Sequence, residues 1–328
     1  MQDTLLQVTN LKKYFSVKQE KYFQPKKHVK AVDNISFDIR RGEIVGLVGE
    51  SGSGKTTVGK TILNLIEATG GSVRFEDRLL FDVEAGKQMK RHELELLRRN
   101  MQMVFQDPYA SLDPRMNVEK IITEGIIKFK TCPRGEIHKK AVELVEECGL
   151  DASCLQKYPH QFSGGQRQRI GIARAISLEP KLIICDEPTA ALDVSIQSQV
   201  LNLMLELRRK HAMSYLFISH NLGIVQHFCN RVCVMYLGSI VEIAEASQLF
   251  TSCAHPYTAA LLDATPSVKD PKTQGRLLLT GEIPSPSSPP SGCRFHPRCT
   301  KATARCATET PTLMDIDGGH LVACHRYS

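Results

Sequence analysis

No stretch of this sequence approaches the run of about 18 apolar residues that a membrane-spanning helix needs. The opening residues MQDTLLQVTNLKKYF also lack the uninterrupted apolar core of a secretory signal. A chain without either feature is expected to be soluble and cytoplasmic. No internal repeat of fixed period appears, and no C-x-x-C knuckle of the kind that marks structural zinc is present. Charge of one sign is also scarce in excess: 42 basic residues against 35 acidic give a formal net charge of +7. Over this length that excess is mild and does not by itself single out nucleic acid as a partner.

What the sequence contains is ordinary for a globular protein: 328 residues, 42% of them hydrophobic and 23% charged. One large domain with an appendage, or two small domains, fits that length. Eleven cysteines is unusual for a cytosolic chain, where structural disulfides are rare and grouped thiols more often mean metal or redox chemistry. Cys132, Cys148, Cys154, Cys185, Cys229, Cys233 and Cys253 are scattered and read as free thiols. Cys293, Cys299, Cys306 and Cys324 are grouped near the end.

Short apolar runs at Ile44–Val48, Leu182–Cys185 and Tyr215–Ile218 read as strands buried on both faces, with helical patterns between them. That alternation argues for an α/β core with a mainly parallel sheet. Residues 5–8 and 35–39 read as strands of an antiparallel edge, joined by the Lys-rich stretch 18–30. Helix-like patterns dominate from about 88 to 178, including His92–Arg99 and Ile137–Cys148, so a helical subdomain is expected to interrupt the core. After Leu262 the composition shifts, and the Pro/Ser-rich segment 281–290 reads as an extended connector to the cysteine-bearing tail.

Gly49-Glu50-Ser51-Gly52-Ser53-Gly54-Lys55-Thr56 matches G-x-x-x-x-G-K-[ST], follows the strand 44–48 and precedes a helical pattern at Thr57–Ile66. Glycines at these positions let backbone N–H groups curl around phosphate oxygens, and the helix N-terminus adds a favourable dipole. Lys55 suits the β/γ-phosphates, and the Thr56 hydroxyl suits Mg²⁺. Leu182-Ile183-Ile184-Cys185 then runs into Asp186 and Glu187, placing two carboxylates at the C-terminal end of a buried strand, where open α/β sheets bind ligands. Asp186 suits the metal shell, and Glu187 suits a base that orients or deprotonates the attacking water. Phe162-Ser163-Gly164-Gly165-Gln166-Arg167-Gln168-Arg169 offers a good N-cap and two small residues at a helix start, able to hold a second anion.

This last segment resembles the LSGGQ signature of ABC ATPases, with Phe in place of Leu. The other landmarks of that family follow in order over about residues 5–262: Gln106 in Met103-Val104-Phe105-Gln106-Asp107 resembles the Q-loop glutamine, Asp193 in Ala191-Leu192-Asp193 the D-loop, and His220 the switch histidine. The resemblance implies a P-loop ATPase that binds ATP through Gly49, Ser51, Gly52, Gly54, Lys55, Thr56 and Thr57, with an upstream aromatic, Phe15 in preference to Tyr14, stacked on adenine. It implies Mg²⁺ held by Thr56, Gln106 and Asp186, and catalysis by Glu187, His220, Lys55 and Gln106. Two such subunits would pair head to tail, Ser163, Gly164, Gly165 and Gln166 of one closing over the ATP of the other, with Asp193 communicating between the two sites. Phe105, Pro108, Tyr109 and Ser111–Pro114 would lie near the contact with a membrane subunit.

The tail narrows the resemblance. His255–Leu262 and Gly281–Pro286 resemble the C-terminal extension of oligopeptide/dipeptide importer ATPases, which would occupy 263–328. Five, six and seventeen residues separate the four cysteines, and four thiolates can hold either zinc or an iron–sulfur cluster. The resemblance favours a [4Fe-4S] cluster on Cys293, Cys299, Cys306 and Cys324, with Zn²⁺ the alternative and His296 outside the ligand set. It further implies a peripheral ATPase on the cytoplasmic face of the membrane. Its partners would be a second ATPase subunit of different sequence, two transmembrane permease subunits and, indirectly, an extracytoplasmic solute-binding protein, with no nucleic acid. Peptides lead as the solute, with nickel or another small solute open; an exporter subunit, or an ABC ATPase acting on ribosomes or DNA, ranks below.

Overall fold

A computed structural model of the chain describes residues 4–16, 28–264 and 282–328. Residues 1–3, 17–27 and 265–281, which include most of the Lys-rich stretch 18–30 and the first residue of the connector 281–290, lie outside the described residues. The chain divides into two units. One holds Arg40–Glu43 and Met89–Phe217; the other holds Thr4–Ile39, Ile44–Gln88 and Ile218–Ser328.

The second unit carries a five-stranded antiparallel sheet in the spatial order His28–Arg40, Thr4–Ser16, Gly70–Phe75, Arg78–Asp82, Lys87–Gln88. The two leading strands extend well beyond the expected 5–8 and 35–39. In this unit Ile44–Val48 also pairs in parallel with Arg231–Tyr236, which is antiparallel to Ser239–Glu245. His320–Val322 and Met314–Asp317 continue the antiparallel series. The sheet is therefore mixed, an antiparallel series extending its parallel pairing. The reason lies in the link between 236 and 239: Leu237 and Gly238 both have positive φ, 43° and 84°, a two-residue turn that joins antiparallel strands directly.

The helix after Ile44–Val48 spans Lys55–Ile62 rather than 57–66. It starts at Gly54, whose φ of 103° lies outside the helical region, and stops before Asn64, whose left-handed φ of 50° cannot continue it.

The first unit is helical around a short parallel pairing of Met101–Val104 with Leu182–Asp186, next to Ser214–Ser219. Its helices are Arg91–Arg98, Val118–Phe129, Ile137–Glu147, Gly164–Ile176 and Val194–His211. Asn117 caps the second of these by accepting from the Lys120 N–H at 3.1 Å, an interaction worth about 1 kcal/mol. Ile121, Ile122, Ile126, Ala141, Leu144, Val145, Ile170, Ala173 and Ile176 are all fully or nearly buried. Each large apolar side chain among them contributes about 1.5–3 kcal/mol, so this core rather than local propensity fixes the helices that carry the 163–168 segment. Among the described residues no helix is long and apolar enough to cross a membrane.

Candidate functional site

The buried strand Ile44–Val48 delivers the chain to Gly49, and a Cβ at Gly49 would lie 2.1 Å from the Met235 carbonyl oxygen. At Gly54 a Cβ would lie 2.0 Å from the Ala31 carbonyl oxygen, with φ at 103°. Both are backbone obstacles, so the loop can close only with glycine at these positions. Inside it, the buried Lys55 ammonium donates to the carbonyls of Gly49 at 2.8 Å and Glu50 at 2.9 Å. A cation is thereby fixed at the centre of a Gly-rich turn that leads into a helix N-terminus, the arrangement that receives phosphate oxygens. Ser51 and Gly52 are exposed, while Thr56 and Thr57 are half-buried in the first helical turn. His220, in the same unit, is exposed just after Ser214–Ser219; Asn221 behind it caps the next helix by accepting from Ile224 N–H at 3.3 Å.

The two aromatic candidates differ in what they are free to do. Tyr14 donates its hydroxyl to Asp33, and burial followed by that hydrogen bond pushes its pKa up. Asp33 is pushed up by burial, but the Tyr14 hydroxyl and the Arg294 guanidinium outweigh this and hold it below the usual carboxylate range. Phe15 is 39% exposed, with the Lys13 ammonium 4.9 Å from its ring centroid. Phe15 has no hydroxyl to commit, whereas Tyr14 is bound to Asp33.

In the other unit, Leu182–Asp186 is buried along its length and Asp186 is only 3% exposed. Glu187, which follows it, has a left-handed φ of 45°, a strained conformation for a residue with a side chain and one that recurs at functional positions. The Gln106 amide donates to the Glu187 carboxylate at 3.0 Å. Two residues that the sequence puts 81 positions apart are thus in direct contact.

Ser163 and Gln166 form a capping box at the start of Gly164–Ile176: Ser163 Oγ accepts from Gln166 N–H at 3.3 Å and Gln166 Oε1 accepts from Ser163 N–H at 3.0 Å. Ser163, Gly164 and Gln166 are exposed, and a Cβ at the half-buried Gly165 would come within 2.5 Å of Ile196 Cγ2. Gly165 therefore lets this helix start pack on the beginning of Val194–His211. Asp193 is exposed there and its side chain makes no capping bond. Gln197 fixes the turn before it by donating to the carbonyls of Thr189 at 3.0 Å and Leu192 at 2.8 Å.

Two arginines that sequence reasoning passes over tie the segment after Gln106 to this helix. The Arg167 guanidinium stacks 4.9 Å from the Tyr109 ring centroid, and Arg174 donates to the Ser111 carbonyl at 2.7 Å. Burial lowers the Arg174 pKa. Tyr109 is 59% exposed, and Pro108 and Leu112 near it are buried. Only a periodic arginine pair, Arg167 and Arg174 on one helix, could have hinted at this tie.

In the tail, Cys293, Cys299, Cys306 and Cys324 line one cavity of about 160 Å³, together with His255, Phe295 and His296. Burial pushes the Cys293 thiol up to about 11 and raises Cys299. Among the described residues no three Cys, His, Asp or Glu side chains converge as a single-ion site. His296 Nδ1 is hydrogen-bonded to the Cys293 carbonyl at 2.9 Å. Glu50 of the phosphate loop is gripped by Arg298, which donates to its two carboxylate oxygens at 2.8 and 3.1 Å.

Residues 32–190 match the family model described as ABC transporter, and residues 241–306 match that described as Oligopeptide/dipeptide transporter, C-terminal region. A relative in Brucella ovis is 47% identical, covering 98% of both chains. The chain belongs to the ABC transporter ATP-binding subunits of the oligopeptide/dipeptide type. A relative named Oligopeptide transport ATP-binding protein AppF, from Bacillus subtilis, is 45% identical over 100% of this chain and 98% of its own. Among solved structures, CbiO1 of Clostridium perfringens, part of the ABC transporter complex CbiONQ, matches with a TM-score of 0.64 and 26% identity over 76% of this chain and 92% of that one. The ATP-binding cassette MJ0796, solved as a dimer in a post-hydrolysis state bound to ADP and Pi, matches equally at 0.64 and 26%, over 74% and 99%. This ABC subunit therefore has the ABC ATPase cassette fold and is an ATPase.

Proposed function

We propose that this ABC subunit hydrolyses ATP to drive import of di- or oligopeptides through a membrane transporter, with Glu187 as the general base. The observation that carries the catalytic part is the Gln106–Glu187 contact at the end of a buried strand, with Glu187 held at a strained φ. The match of 241–306 and the names of the relatives support a peptide as the solute.

Phe15 stacks on adenine, and the loop from Gly49 to Thr57 wraps the phosphates, with Lys55 as its fixed positive charge. Thr56, Gln106 and Asp186 would hold Mg²⁺; a hydroxyl, an amide oxygen and a carboxylate are the hard oxygen donors that ion takes, and the ion neutralises charge on the phosphates when bound. Glu187 accepts a proton from the attacking water, positioned by its bond with Gln106, while His220 donates toward the terminal phosphate. The exposed first turn at Ser163, Gly164, Gly165 and Gln166 binds the phosphates held by a second ATPase subunit, and Asp193, on the turn fixed by Gln197, meets that subunit. The pair docks on two permease subunits at the cytoplasmic face of the membrane, a partner ATPase of different sequence being the proposed arrangement, and the solute arrives from an extracytoplasmic binding protein. In this division the ABC domain runs over 5–262, its helical part over about 88–178, and 263–328 is the oligopeptide/dipeptide-type extension.

At the cavity lined by Cys293, Cys299, Cys306 and Cys324 the occupant we favour is a [4Fe-4S] cluster, with zinc the alternative. A single zinc ion requires thiolates converging at about 2.3 Å, whereas these four are among the residues lining a space of about 160 Å³, room for a larger group. Bound there, a cluster would pin a tail that has little apolar surface of its own. Cys299→Ser is expected to lower stability and iron content while ATP binding persists.

The test of the whole reading is uptake by cells in which this chain is the sole source of the subunit. Labelled di- or oligopeptide should accumulate with the wild type and not with Glu187→Gln. Peptide uptake indifferent to that change, or nickel uptake lost in its place, would overturn it.

A further inference from the structure

Two arginines sit inside the short segment bounded by Cys293 and Cys299, and both reach out of the tail into the nucleotide-binding half of their unit. Arg294 donates to the Asp33 carboxylate and to the Leu237 carbonyl; Asp33 in turn accepts from Tyr14, the neighbour of Phe15. Arg298, its side chain 4% exposed, makes a two-pronged bond to Glu50, the second residue of the phosphate loop, and stacks 5.8 Å from the Tyr236 ring centroid. The Glu50 backbone is held as well: its N–H donates to the Tyr257 hydroxyl at 3.0 Å, and its carbonyl accepts from Lys55 at 2.9 Å. Tyr236, Tyr257 and Phe295 pack together at centroid distances of 4.6–5.4 Å, making a rigid aromatic seat behind the two clamping groups. A planar, bidentate pair fixes direction as well as distance, which a lone lysine or an aliphatic contact does not.

Glu50 is one of the loop positions at which the motif leaves the residue open, so phosphate chemistry does not demand a carboxylate there. Its side chain is instead spent on the tail. We infer that Arg298 is a positioning residue for nucleotide binding, which acts through Glu50 with Tyr257 to hold the phosphate loop in its receptive shape, making the C-terminal extension part of the ATP site rather than an appendage. This rests on the reading that the loop binds ATP. Arg298 itself touches the loop's outer edge. It sets where the Glu50 carbonyl stands relative to the Lys55 ammonium, and a loop free to shift presents its N–H groups out of register with the phosphates.

The experiment measures, on the full-length chain, the Kd of a fluorescent ATP analogue, kcat and KM for ATP, and amide hydrogen exchange over residues 49–56. Arg298→Met should raise Kd and KM about 10-fold while kcat falls less than threefold, and should speed exchange in the loop selectively. Arg298→Lys should recover part of the affinity, since it keeps the charge but not the fork. Glu50→Gln should weaken binding similarly, and Glu50→Gln/Arg298→Met should be no worse than the weaker single variant, because the two act as one unit. If Arg298→Met does not fold, that double variant, which leaves no buried charge unpaired, and Tyr257→Phe carry the same expectation. Wild-type affinity and loop exchange in the folded variants, or effects of the two substitutions that multiply, would overturn the inference. Lys55→Ala in the same assay separates the two layers: loss of binding there with normal binding in Arg298→Met removes the clamp alone, whereas normal binding in Lys55→Ala removes the assignment of the loop itself.

Discussion

Gly52 and Gly54 give the phosphate loop an internal control. Both have positive φ, 79° and 103°, so alanine at either incurs the left-handed penalty of about 1–2 kcal/mol. They differ in what a Cβ would meet. At Gly52 nothing lies within 4 Å, whereas at Gly54 the Ala31 carbonyl oxygen is 2.0 Å away, where ordinary contact begins at 3.4 Å. Neither backbone can yield without moving the strand His28–Arg40 or the start of Lys55–Ile62, and Lys55 is the next residue. Gly52→Ala should therefore cost about 1–2 kcal/mol of stability and less than about 10-fold in nucleotide affinity. Gly54→Ala should displace the loop by an amount that costs on the order of 10²-fold in affinity, about 2.8 kcal/mol at 1.4 per decade. Urea unfolding and titration with a fluorescent ATP analogue read the two quantities separately. Equal affinity losses for the two variants would refute the reasoning, since it assigns the difference to one backbone oxygen.

Other consequences follow from the remaining contacts. Arg174→Met should cost about 1–2 kcal/mol in urea unfolding, because the part-buried Ser111 carbonyl loses its 2.7 Å donor. Asp33 has a folded pKa below its unfolded value of about 3.9; its contribution is present above that pH and disappears as pH falls through the folded value, so Asp33→Asn should flatten the acid limb of a stability–pH curve. In the metal-free chain, burial pushes the Cys293 thiol up to about 11, so at pH 8 it should alkylate about 10²-fold more slowly than an ordinary cysteine with a pKa near 8.5. Alkylation of Cys293 at the rate of an ordinary cysteine, followed by mass spectrometry, would contradict that environment.

The site was legible in the sequence to the extent that its chemistry is local. The phosphate loop, the acids after Leu182–Cys185 and the Ser163 cap each occupy a few consecutive residues whose types are dictated by backbone geometry. Long-range pairings were not legible in this way. Arg298 lies 248 positions from Glu50, and no periodicity links an arginine between two cysteines to a Gly-rich loop. The strand Met101–Val104 escaped because four residues, one of them Gln102, are too few to establish alternation. The antiparallel end of the mixed sheet depended on a turn at Leu237-Gly238, where a leucine takes the positive φ that Asn or Gly usually signals. The helix expected to reach residue 66 ended at Ile62 because Asn64 adopts the left-handed region, a choice that propensity alone leaves open.

The measurement that bears most directly on Glu187 is ATP turnover and ATP binding of the wild type and Glu187→Gln in one preparation. The substitution keeps the side chain's length and its partner Gln106 and removes only the basic carboxylate. Turnover should fall by about 10²–10⁴-fold, equivalent to about 3–5 kcal/mol of transition-state stabilisation, with the nucleotide Kd within about threefold of wild type. Near-normal hydrolysis in Glu187→Gln would contradict the assignment of the base.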